Sequence, residues 1–218
     1  MILAAGRGER MRPLTDDAPK PLLEVGGKPL IQYHIENLAA AGVREIVVNL
    51  AWQGSKLREA IGDGAKFGVR IAYSDEGEFA LETGGGICKA LPLLGDDPFI
   101  VVSGDIWTRF PFESLRLGGD DVAHLVLVPN PEFHPRGDFG LVETRVTEME
   151  PKHTYANIGV FAPRFFEGRK PERFALGPLI REWIQRGLVS GELYEGPWHN
   201  VGTPQQLAAL DAQLSGRG

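Results

Sequence analysis

The chain has 218 residues, 43% hydrophobic and 24% charged, a composition that excludes a disordered polypeptide and suits one folded domain. Folding at this length buries roughly 70% of the surface the unfolded chain exposes, so no disulfide or structural metal is required; the single cysteine, Cys88, in any case excludes a disulfide framework and a multi-cysteine zinc site, and fits a reducing cytoplasm. Twenty-nine acidic against 23 basic side chains give a net charge of −6, which argues against a broad nucleic-acid-binding face but not against a small basic pocket for an anion.

Residues 1–5 read as a first strand, an apolar run too short for a signal-peptide core or a membrane span. Pro29 then opens a helix whose apolar positions Leu30, Ile31, His34, Ile35 and Leu38 fall at helical spacing and which ends at Gly42. The β-branched run EIVVNL at 45–50 is a buried strand, and a helix over 53–61 is stopped by Gly62 and Gly64. A strand over 69–73, a helix over 84–94 and a strand over 99–103 complete a strand–helix alternation that predicts a parallel sheet with right-handed crossovers. After Asp105 the pattern changes. Strands are expected over 122–129, 139–147 and 155–162, helices over 163–166 and 177–186, and strands over 188–194 and 198–201. Thr203 caps a last helix with Pro204 at its first position, running to 214. No linker, repeat or low-complexity stretch divides the chain. The expectation is a single α/β domain over 1–218 with a Rossmann-like, mostly parallel but mixed central sheet flanked by helices.

The segment after the first strand, Leu3-Ala4-Ala5-Gly6-Arg7-Gly8-Glu9-Arg10-Met11-Arg12-Pro13-Leu14-Thr15 followed by Pro19-Lys20-Pro21-Leu22, carries the functional argument. A dinucleotide fingerprint fails because its third glycine is Met11 and because Pro13, Pro19 and Pro21 forbid a continuous helix. A Walker A loop fails because Gly27-Lys28 is followed by Pro29. What remains is a long ordered loop at the carboxyl end of a parallel strand, with glycines that let backbone N–H groups approach a phosphate and with Arg7, Arg10, Arg12 and Lys20 around the same space. A loop of solvated cations and turn-forming glycines is the competing account, and it leaves the concentration of small residues, prolines and cations unexplained.

The string LAAGRGERMRPLT with PKPL resembles the signature of the sugar-1-phosphate nucleotidyltransferases. The likeness continues through Gly62-Asp63-Gly64, Leu81-Glu82-Thr83-Gly84-Gly85-Gly86, Ser103-Gly104-Asp105, Phe139-Gly140-Leu141-Val142 and Val201-Gly202-Thr203-Pro204. It implies the nucleotidyltransferase fold. The LETGGGI form and the short chain most resemble the bacterial N-acetylmuramate-1-phosphate uridylyltransferases of cell-wall recycling, with mannose-1-phosphate guanylyltransferases and glucose-1-phosphate thymidylyl- or uridylyltransferases as alternatives.

The resemblance assigns Ala4, Ala5, Gly6, Gly8, Glu9, Arg10 and Lys20 to the nucleotide, UTP in the favoured reading, and Arg10, Lys20 and Asp105 to catalysis. Glu82, Gly84 and Gly85, at a helix start whose free N–H groups accept a polar edge, would hold base and ribose. Ser103, Asp138, Gly140 and Asn157 would bind the sugar. Asp105 follows a buried strand and a glycine, where a hard carboxylate ligand suits Mg²⁺ bridging phosphates; the competing account is a turn aspartate capping its own backbone. Many relatives carry a second aspartate in a D-V-G-T stretch. Here Asn200 in His199-Asn200-Val201-Gly202-Thr203 offers only a neutral oxygen, so Asp105 and Asn200 are the expected metal ligands and a non-catalytic nucleotide-sugar sensor is the rival function. Met11, Cys88, Trp107, His34 and His199 read as packing or structural residues. The expected partners are small molecules, with no nucleic acid and no membrane, for a cytoplasmic monomer or weak dimer.

Overall fold

The structure, a computed structural model, describes residues 1–216. Strand β1 (Ile2–Leu3) leads into a loop of short helical turns, Glu9–Met11, α1 (Leu14–Asp17) and Lys20–Leu22, and a small hairpin of β2 (Glu24–Val25) and β3 (Lys28–Pro29). The alternation then follows the sequence pattern: α2 (Leu30–Ala40), β4 (Glu45–Leu50), α3 (Gly54–Ile61), β5 (Arg70–Asp75), α4 (Glu82–Leu94) and β6 (Phe99–Ser103). β1 lies parallel between β4 and β6, and β5 pairs parallel with β4, as strand–helix–strand crossovers require.

The second half supplies β7 (Ile106–Thr108), β8 (Ala123–Val128), β9 (Phe139–Val142), β10 (Arg145–Thr147), β11 (Lys152–Phe161), α5 (Leu176–Gln185), β12 (Val189–Leu193), β13 (Trp198–Asn200) and α6 (Pro204–Leu214). Nine strands form one mixed sheet in the order β5-β4-β1-β6-β11-β8-β12-β10-β9, with β11 antiparallel to β6 and β8, and β12 parallel to β8. The run 139–147, expected as one strand, is instead the hairpin β9–β10, turning at Glu143 with φ of 54° and pairing Arg145 with Val142. A run of strand-forming residues gives the same periodicity in one strand or two, so only the turn distinguishes them. β13 leaves the main sheet and pairs antiparallel with β7, a strand the sequence reading did not resolve.

Both faces of the sheet are covered, which explains the unbroken apolar runs. Adjacent residues point to opposite sides: Val48 and Val102 pack with Ile31, Ile35 and Leu38 of α2, whereas Val47 and Val101 pack with Ile87, Phe161, Phe165 and Leu179. The Thr203 side chain accepts from the Gln206 N–H and caps α6 as its sequence predicts. Among the described residues no helix is long and apolar enough to cross a membrane. Because β1, β4, β5 and β6 run the same way, the segments following Leu3, Leu50, Asp75 and Ser103 gather at one edge, where ligands bind in open α/β sheets.

Candidate active site

At that edge a cavity of about 600 Å³ is lined by the Ala4–Arg10 loop, Lys20, Ser103, Asp105, Glu82, Thr83 and Gly202. The loop is held in shape by its own backbone. Gly8 has φ of 64°, its carbonyl accepts from the Met11 N–H (2.8 Å) and from the Thr15 hydroxyl (2.8 Å), and a Cβ there would lie 2.9 Å from the Thr15 methyl. The Ala4 N–H donates to Asn49 Oδ1 (2.6 Å), and Asn49 Nδ2 donates to Glu76 Oε1 (2.6 Å). The other Glu76 oxygen accepts from the Leu81 N–H (2.6 Å), so one buried carboxylate, through Asn49, ties the loop after β1 and strand β4 to the loop after β5. Burial raises the Glu76 pKa, against the opposing pull of those hydrogen bonds.

The charged centre is an ion pair. Lys20 Nζ lies 2.6 Å from Asp105 Oδ2, with the Lys20 side chain only 9% exposed, and the Ser103 hydroxyl donates to Asp105 Oδ1 (2.7 Å). Burial pushes the Asp105 pKa up, but the charge and hydrogen bond of Lys20, with the Ser103 hydroxyl, outweigh it and hold the carboxyl below its usual value. Beneath it, fully buried His34 donates from Nε2 to the Ile106 carbonyl (2.8 Å), and burial lowers its pKa to about 4, so it supports the turn as a neutral ring.

β13 brings Asn200 opposite Ile106, and the Val201 N–H donates to the Asp105 carbonyl (2.9 Å). Asn200 Oδ1 is buried and has no hydrogen-bond partner, an orphaned acceptor beside the Asp105 turn that is costly unless something cationic or donating meets it. An ionised carboxylate and a free amide oxygen are hard donors that fit Mg²⁺, which takes few protein ligands and completes its shell with substrate oxygens and water. Among the described residues no cluster of three or more His, Cys, Asp or Glu side chains offers an alternative metal site.

A second cavity, about 380 Å³, shares Leu3 and Thr83 with the first and is lined further by His134, Asp138, Tyr155, Asn157, Arg181 and Asn200. It is assembled from separated segments. Asn157 sits in the left-handed region (φ 57°) at a register shift of β11 against β8, which turns its side chain out of the regular ladder. Asp138 uses both oxygens locally: Oδ1 faces His134 Nε2 at 3.1 Å and Oδ2 accepts from the Tyr155 N–H at 2.8 Å.

Of the expected site residues, Ala4, Ala5, Gly6, Gly8, Glu9, Arg10, Lys20, Glu82 and Asp105 line the first cavity, and Asp138, Asn157 and Asn200 the second. Several positions are corrected. Arg12 stands away from the cavity, its side chain 63% exposed and paired with Asp16 (3.2 Å). Ser103 lies in the first cavity rather than the second and orients Asp105. Gly84 and Gly85 line neither cavity: both N–H groups donate to the Phe174 carbonyl, and a Cβ would lie 2.2 Å from the Phe174 ring at Gly84 and 1.9 Å from the Glu172 carbonyl at Gly85. They are glycine because the 172–174 segment crosses the helix there. Gly140 is likewise a packing residue, its Cβ position 2.0 Å from the Met149 carbonyl. Glu82 accepts from Arg173 Nε at 3.0 Å. Asn49, Glu76, Thr83 and Arg181 were not anticipated. Asn49, Glu76 and Arg181 each stand outside any motif, and only the fold brings them to a cavity, whereas Thr83 lies inside the Leu81–Gly86 run.

The nucleotidyl transferase family model matches residues 1–215. The chain is 46% identical to the N-acetylmuramate alpha-1-phosphate uridylyltransferase of Neisseria meningitidis serogroup B, over 97% of this chain and 96% of that protein. It is 37% identical to the protein of the same name from Caulobacter vibrioides, over 99% of this chain and 96% of that one. In fold it matches the solved inositol-1-phosphate CTP transferase of T. maritima with a TM-score of 0.78 and 17% identity, covering 99% of this chain and 94% of that chain.

Proposed function

The chain belongs to the nucleotidyl transferase family, and on that premise we propose that it transfers the uridylyl group of UTP to N-acetylmuramate 1-phosphate, releasing pyrophosphate and forming a nucleotide sugar. The observation that carries the reaction type is the Lys20–Asp105 pair in the loop-lined cavity, next to a second cavity with which it shares two walls. The base and sugar rest on the likeness to the two uridylyltransferases. In this reading the chain acts as one domain over 1–218, in the cytoplasm, as a monomer or weak dimer.

A phosphate oxygen of the sugar 1-phosphate attacks the α-phosphorus in line; that P–O bond forms as the bond to the β-phosphate breaks and pyrophosphate leaves. The nucleophile is already an anion near neutral pH, so no general base is needed and catalysis reduces to positioning and charge neutralisation. The Gly6–Glu9 backbone and Arg10 hold the triphosphate. Lys20 bridges the α-phosphate and the sugar phosphate, and Ser103 keeps Asp105 aimed. Asp105 and Asn200 would hold Mg²⁺, which when bound neutralises phosphate charge. Asn157 and Asp138 border the sugar.

Pyrophosphate release from four nucleoside triphosphates against N-acetylmuramate, mannose and glucose 1-phosphates, with Mg²⁺, tests the proposal. Turnover is expected with UTP and N-acetylmuramate 1-phosphate. A preference for GTP with mannose 1-phosphate overturns the assignment of base and sugar. Asn200, neutral where a carboxylate would bind metal more strongly, favours a second reading as a nucleotide-sugar sensor; binding of nucleotide sugar without pyrophosphate release would establish that instead.

A further inference from the structure

N-acetylmuramate differs from N-acetylglucosamine by an ether-linked lactate, so a site selective for it must meet one extra carboxylate. Resting on the sugar proposed above, we infer that Arg181 receives that carboxylate and sets the preference for an acidic sugar over an uncharged one. Besides Tyr155, the charged or titratable side chains lining the second cavity are Arg181, His134 and Asp138. Asp138 is saturated by His134 and the Tyr155 N–H and repels rather than receives an anion. Arg181 projects from α5 with its guanidinium 4.8 Å from the Phe139 ring centroid, a cation–π contact that holds the charge at the cavity wall.

Its donors are only partly used. Nη1 bonds the Glu148 carboxylate, and Nη2 reaches the Asp138 carbonyl at 3.5 Å, too long for a strong bond. Glu148 is shared with Lys152 at 3.2 Å, so it does not neutralise Arg181 alone; with the Asp138 carboxylate counted, the two cations and two carboxylates balance, and what Arg181 offers the cavity is the unused face of its fork. The Arg181 side chain is 41% exposed, leaving an open approach for a planar carboxylate to pair with the fork. Arg181 is the one guanidinium lining that cavity among the described residues, and its open donor face is what selects for a carboxylate.

The test compares N-acetylmuramate 1-phosphate with its carboxyl methyl ester, UTP saturating, for the wild type, R181M, R181K and E148Q. The wild type is expected to prefer the acid by about 10- to 100-fold in kcat/KM, the range of a charge-assisted bond. R181M should raise KM for the acid by that factor with kcat nearly unchanged, because the contact is made equally in ground and transition states, and should turn over acid and ester alike. R181K should recover part of the preference, and E148Q, which removes the carboxylate charge that competes for the guanidinium, should widen it. An acid-to-ester ratio unmoved by R181M and E148Q overturns the inference. A wild type that uses acid and ester equally also overturns it while leaving uridylyl transfer intact. A wild type that uses neither overturns the proposed sugar as well.

Discussion

The two cavities are built in different ways. The first is built around one continuous stretch, Leu3 to Met11, which is shaped by its backbone and supplies nearly half of the lining, and it is closed by the Lys20–Asp105 ion pair. The second has no such dominant stretch: it draws on residues 133–139, 154–157, 176–181 and 198–200, with Leu3, Thr83 and Val101 besides, and its polar lining is mostly side chains. A phosphate group is the same in every nucleotide, so a contiguous rigid cradle serves it. Sugars differ in their substituents, and scattered side chains can be exchanged one at a time without disturbing that cradle. The contrast teaches that the reaction and the choice of substrate are supported by separable parts of the fold.

The sharpest way to break this comparison is Lys20→Ala. It removes the cation assigned to the α-phosphate and leaves Asp105 partly buried without its partner. Losing one preorganised group of this kind costs about 10²–10³ in rate, and the fall should be the same for every sugar 1-phosphate the enzyme accepts. Steady-state turnover measures it. Near-normal activity, or a loss confined to one sugar, would remove Lys20 from the shared machinery.

The difference in construction also explains what was legible in the sequence. Strands at 45–50 and 99–103 were readable to the residue, because buried parallel strands are short β-branched runs between helical segments. The cradle was readable because its residues are neighbours in the chain. Glu76 and Asn49 were not: a carboxylate after a strand looks like any turn acid until the fold sets it against Leu81 and Asn49, and Asn49 in turn against Ala4. The glycines at 84 and 85 misled for the converse reason. A glycine run at a helix start signals either a ligand or a crossing chain, and here the crossing chain is the segment around Phe174.

That distinction gives the second test, intermediate in size. Gly85→Ala places a methyl group 1.9 Å from the Glu172 carbonyl, so the backbone must move; overpacking of this sort costs about 1–3 kcal/mol. Gly6 lines the first cavity and has no atom within 4 Å of its Cβ position. Gly6→Ala should therefore keep its denaturation midpoint and weaken nucleotide binding instead. Urea unfolding and nucleotide titration on both variants separate packing glycine from cradle glycine. If Gly85→Ala kept its stability and lost only nucleotide affinity, the helix start would be a binding turn and not a packing site.

The smallest effect is expected at Asn157, where backbone and side chain can be tested apart. Its φ of 57° costs a residue without a suitable side chain about 1–2 kcal/mol, which glycine avoids and asparagine partly offsets through local hydrogen bonding. Asn157→Ala should lose about 1 kcal/mol of stability, whereas Asn157→Gly should hold it. Both variants lack the amide. If the amide borders the sugar as proposed, both should raise KM for the sugar 1-phosphate to a similar extent and leave KM for the nucleotide unchanged. Were Asn157→Gly to show wild-type KM while Asn157→Ala did not, the residue would serve only to bend β11, and specificity in the second cavity would fall to the side chains of α5 and the 134–138 loop.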